Sequence, residues 1–92
     1  MDRSTFEAAL ARDGFTVVSI TMKPNAVNPE HAHSFDARVL VTEGAMTIAR
    51  TGAPPQTFHV GESFEMPAGC THSETAGDAG AAYVAGRRAP TT

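Results

Sequence analysis

The 92-residue sequence has no tryptophan and a single cysteine, Cys70. One thiol cannot close a disulfide within the chain, which excludes a disulfide-stapled scaffold and suits a reducing compartment. Long apolar runs are missing too. Nowhere do eighteen apolar residues follow one another, and no basic patch leads into such a stretch, so neither a membrane span nor a signal peptide is indicated. A cytoplasmic location is the expectation. Nor is there an excess of one charge: ten acids against seven bases leave a net charge of −3, with Arg87 and Arg88 the one adjacent pair of bases. That balance offers no electrostatic footprint to nucleic acid or to an anionic membrane. No nucleophile with its base and no nucleotide-binding loop is recognisable, and Gly44, Gly61 and Gly69 read as turn residues, not as a phosphate cradle.

What is present is a hydrophobic content of 41% in a chain short enough for one core, so a single domain over residues 1–92 is expected. Folding hides only about two thirds of the surface at this size, which makes a homodimer the expected assembly. Ser4 followed by Glu7 reads as a capping box, and Phe6, Ala9 and Leu10 repeat at helical spacing, which predicts a helix over about 4–12 that ends at Gly14. From Phe15 to Met22 the pattern turns β-branched and strand-like. Prolines and glycines then punctuate apolar runs at 38–41, 45–49, 56–60, 63–66, 71–75 and 81–85. Many short strands with frequent turns predict an all-β sandwich or barrel over about 15–87, with the tail from Arg88 to Thr92 unanchored.

His31 and His33 are two residues apart. On a strand both side chains leave one face with Cα atoms roughly 6.6 Å apart, close enough to tilt toward one ion. A third ligand must come from elsewhere, and His72, which opens a strand just after the turn Pro67-Ala68-Gly69, is the natural donor.

These segments resemble the two motifs of the cupin superfamily. His31-Ala32-His33 through Gly44 is similar to the first motif, a His-x-His pair followed by a glutamate and, six residues on, a glycine. Gly61 through Pro67, Gly69 and His72 match the second in spacing. The resemblance implies a double-stranded β-helix, or jelly-roll barrel, whose interior binds a metal and often a small organic molecule. The chain departs from the pattern at two places: Ala37 stands at the usual glutamate, and Ala76 where the second motif often ends in asparagine.

The nearest carboxylate to the vacant position is that of Asp36. Phe35, Ala37, Val39 and Val41 share parity with the two histidines, whereas Asp36, Arg38, Leu40 and Thr42 form the other face. If the apolar face points inward, Asp36 points out, paired with Arg38, and misses the metal. A bulge between His33 and Ala37 would turn both inward. Glu74 shares parity with His72 and is a candidate fourth ligand, supporting partner of a ligand, or general base; at a strand end it would instead reach solvent at the barrel mouth. Cys70 also shares that parity but sits in the turn, where a small residue suffices. His59 reads as a surface or edge histidine, and Phe58, Phe64, Met66 and Tyr83 as core or pocket wall.

Three neutral imidazoles leave coordination positions open and suit a divalent transition metal, Zn, Ni, Fe, Cu or Mn. The first expectation is a small metal-binding barrel that takes a small organic ligand. The alternatives are a three-histidine metal-dependent dioxygenase, a class the resemblance includes, and a non-enzymatic small-molecule sensor or accessory barrel; Glu74 is the one candidate catalytic group.

Overall fold

The computed structural model describes residues 1–90. A helix, α1 (Arg3–Arg12), precedes six strands: β1 (Thr16–Met22), β2 (Val27–His31), β3 (Asp36–Arg50), β4 (Gln56–His59), β5 (Ser63–Met66) and β6 (His72–Arg88). Among the described residues no helix is long and apolar enough to cross a membrane.

The helix is capped two residues earlier than the Ser4–Glu7 box predicts. Its N-cap is Asp2, whose carboxylate accepts from the Thr5 N–H at 2.8 Å and from the hydroxyls of Ser4 and Thr5. An aspartate satisfies free N–H groups as well as a serine does and adds favourable charge at that end, and Glu7 turns instead to Arg3. At the other end the N–H groups of Gly14 and Phe15 return to the carbonyls of Ala11 and Leu10, a Schellman closure. Phe15 therefore belongs to the closure that follows the helix, and the first strand begins at Thr16. Phe6, Leu10 and Phe15 are buried against Leu40 of β3 and Val84 of β6, each side chain contributing about 1.5–3 kcal/mol on burial.

The two long strands organise the rest. Their antiparallel ladder runs from the Asp36–Arg88 pair to the Arg50–His72 pair. Four of the predicted apolar runs thus belong to only two strands, because the glycines between them bend the chain without ending it. The first half of β3 pairs with β5 and the second half with β4. The second half of β6 pairs with β1 and the first half with β2. One wall is therefore β5-β3-β6-β1 and the other β4-β3-β6-β2, a jelly roll in which both long strands pass from wall to wall.

At the passage the alternation slips. Leu40 and Val84 are buried under the helix; toward the barrel interior the buried residues are Ala37, Val39 and Val41, then Met46 and Ile48 on β3, and His72, Glu74 and Ala76, then Ala81, Tyr83 and Ala85 on β6. The register shifts in the same place, between Val41 and Glu43 and again between Gly44 and Met46. Such a shift bends a strand and keeps its apolar residues inward on both sides of the bend.

The predicted loose tail is corrected at its first residue. Arg88 ends β6, donates to the Asp13 carbonyl at 2.8 Å and lies 4.4 Å over the Phe15 ring. Residues 91–92 of that tail lie outside the described residues.

Candidate metal centre

His31 ends β2 and is the cross-strand partner of His72, the first residue of β6. Directly opposed residues of an antiparallel pair bring their Cβ atoms to about 5 Å, so the two imidazoles meet, with ring centroids 4.4 Å apart. His33 does not share a strand with His31, contrary to the parity argument: the chain leaves β2 at His31 and re-enters sheet only at Asp36. Its ring reaches the same place from the intervening loop, stacked on Phe35 at 4.7 Å.

That loop is held by the turn before His72. The Gly69 N–H donates to the His33 carbonyl at 2.9 Å, and the Ala68 N–H donates to Asp36 Oδ1 at 2.8 Å. Asp36 is thus engaged with the turn. Nor does it pair with Arg38, whose guanidinium goes to Asp13 at 2.6 Å and to Glu65 at 3.4 Å. Replacing Asp36 by alanine leaves the Ala68 N–H without this acceptor. A loss of about 1–2 kcal/mol in denaturant unfolding is expected, with the metal stoichiometry of the protein unchanged.

The ligand atoms of His31, His33 and His72 lie within 4.8 Å of one another. Two of the three tautomers are set by backbone carbonyls, which can only accept. Pro29 O lies 2.7 Å from His31 Nδ1, and Cys70 O lies 2.9 Å from His72 Nδ1. Each neutral ring therefore carries its proton on Nδ1 and offers the Nε2 lone pair. His31 Nε2 and His33 Nε2 are 3.2 Å apart. Two nitrogens about 2.1 Å from one ion, subtending about 90–110°, are separated by about 3.0–3.4 Å. His72 Nε2 has no hydrogen-bond partner among the described residues, and the residue is 1% exposed. This donor set fits a cation: the three histidines could hold a metal ion.

Glu74 is buried at 8% exposure, which rules out the reading that placed it in solvent at the mouth. Its Oε1 accepts from Asn28 Nδ2 at 3.0 Å and lies 3.8 Å from His31 Nε2. It stands beside the histidine cluster and is steadied by Asn28, its cross-strand partner. Asn28 escapes a reading of the sequence because β2 is polar and exposed almost throughout. Cys70 contributes its backbone carbonyl, and His59 is exposed on β4, where its ring meets Glu62 at 3.3 Å.

The histidines and Glu74 line a half-open cavity of about 250 Å³, closed on other sides by Ile20, Phe64, Met66 and Tyr83. Burial, followed by the positive charge His31 and His72 would carry when protonated, holds His33 below its ordinary value of 6.5; Glu74 opposes this. The Tyr83 hydroxyl is pushed up to about 12, chiefly by burial and further by Glu74, so it keeps its proton and can donate into the cavity.

The cupin domain family matches residues 18–84, most of the chain and all of this cluster. The chain belongs to that family. No curated protein matches this cupin in sequence. Among solved structures, a variant of Bacillus subtilis oxalate decarboxylase superposes with a TM-score of 0.74 at 19% identity, over 82% of this chain and 21% of that one. A second structure of that enzyme, concerned with its Mn(II) centres, gives 0.74 at 20% identity over 85% and 22%. An RmlC-like cupin from Shewanella frigidimarina gives 0.69 at 23% identity over 82% and 67%. The cupin thus spans about a fifth of the decarboxylase chain, and at these identities the likeness is one of fold.

Proposed function

We propose that this cupin binds one divalent transition-metal ion through His31, His33 and His72 and admits a small organic ligand to the adjoining cavity. The observation that carries the reading is the meeting of three imidazoles from β2, the following loop and β6, two of them with Nε2 lone pairs fixed by backbone carbonyls. A bound ion would supply Lewis acidity at the cavity wall. Glu74 would accept a proton or hydrogen bond there, and Tyr83 would donate one. The Mn(II) of the decarboxylase is one precedent for the metal, but a set of neutral nitrogens without a carboxylate suits Zn, Ni, Cu or Fe better than Mn.

Metal analysis of untagged protein purified without chelator is expected to give close to one ion per chain, and nickel titration of the stripped protein the same stoichiometry. Binding needs neutral imidazoles, so affinity is expected to fall as the pH drops below about 6.5. His33, with its depressed pKa, stays neutral further into acid than an ordinary histidine. In the metal-free protein the unfolded chain takes up a proton at His33 near pH 6.5, and the folded chain only at lower pH. That contribution to stability is therefore complete above about 6.5 and is lost as the pH falls through the folded value. A protein that takes up no nickel, zinc or iron across pH 6–8 would refute the reading.

A further inference from the structure

Every arginine but one donates a hydrogen bond among the described residues. Arg3 reaches Ser19, Arg12 and Arg38 reach Asp13, Arg50 reaches the Glu65 carbonyl and Arg88 the Asp13 carbonyl. Arg87 has no such partner and no ion pair there. It is exposed, yet it is one of the residues that line the cavity holding the three histidines. Its Cζ lies 5.0 Å from the ring centroid of Phe35, the same ring on which His33 is stacked. Stacking orients a planar guanidinium and leaves its N–H groups free along the edges, the arrangement that receives a carboxylate on two parallel hydrogen bonds.

The charge of the cavity points the same way. With a divalent ion on the histidines, the ion and Arg87 together outweigh Glu74, so an anion completes the site. The volume, about 250 Å³, equals that of about eight water molecules, room for an acid of three to five carbons. We propose that Arg87 anchors a carboxylate, and that the ligand of this cavity is a short dicarboxylate with one end on the metal and the other on Arg87. The inference rests on the metal-binding reading and adds the ligand's class and the residue that selects it.

The test begins with nickel titration of wild type and Arg87→Gln, where the same stoichiometry and an undiminished affinity are expected, because Arg87 is not a metal ligand and removing its positive charge does not weaken the binding of a cation. Malonate, succinate and glutarate, and the monoamide of each, are then titrated calorimetrically into both nickel-loaded proteins. Wild type is expected to prefer at least one diacid over its monoamide by about tenfold or more. Arg87→Gln should lose that preference while binding the monoamide as wild type does, and Arg87→Lys should recover part of it. Normal nickel binding with no diacid bound, or an equal preference in Arg87→Gln, overturns the assignment to Arg87 and leaves the metal reading standing. Failure of nickel to bind overturns both.

Discussion

His72→Ala is expected to remove metal binding: nickel affinity should fall by about a hundredfold or more in calorimetric titration, and purified protein should carry almost no ion. Loss of groups that merely orient a ligand costs about 10–100-fold, so loss of a ligand should cost at least as much. His72 is also the cross-strand partner of His31 and is almost fully buried. The substitution therefore leaves a void and deprives the Cys70 carbonyl of its donor. A stability loss of about 1–3 kcal/mol is expected beside the loss of metal. Circular dichroism and a thermal melt of the metal-free variant separate the two effects. His59→Ala, on the exposed edge strand, provides the control and should bind nickel as wild type does. Undiminished nickel affinity in His72→Ala would show that the ion, if one binds, is held elsewhere.

The largest loss of stability is expected from Gly44→Ala, at a site remote from any chemistry. Gly44 has φ +66, and a Cβ built on it would run into the carbonyl of Gly80 on the adjoining strand. Gly80 cannot retreat easily: it too has positive φ, and its own Cβ position lies 2.7 Å from the Met22 carbonyl. The added methyl thus meets backbone backed by backbone, at the point where both long strands cross between walls. A cost of about 3–5 kcal/mol is expected, equivalent to a fall in Tm of about 15–30 °C for a chain this size. Gly52→Ala is the comparison. Gly52 has φ +82 but nothing within 4 Å of a Cβ, so it should lose only about 1 kcal/mol. If the two variants melt together, the close approach of the strands at Gly44 is not what constrains the bend.

The features legible in the sequence were those with a repeating or spaced signal. Short apolar runs between turn residues indicate a β-barrel, and the spacing around His31, His33, Pro67, Gly69 and His72 indicates the cupin fold. What escaped has physical reasons. β2 buries little and so carries no alternation. Glycines at 44 and 80 have the look of strand ends, yet here they let two strands bend and continue. The phase slip at that bend also concealed Arg87: counted from His72 in steps of two it falls on the outer face, whereas the shift between Ala76 and Ala81 turns it toward the cavity. Asp36 lies off the histidine cluster, as strand alternation predicts, yet no unbroken strand runs through His33, and the partner of Asp36 is not Arg38 but the Ala68 N–H, 32 positions away in sequence.

Because β3 and β6 are each shared by both walls, neither wall is a half that could exist without the other. The histidine cluster inherits this indivisibility: His72 opens the very strand whose far end carries Arg87 and locks the helix through Arg88. Loosening at one extremity of the molecule therefore has a direct covalent route to the other.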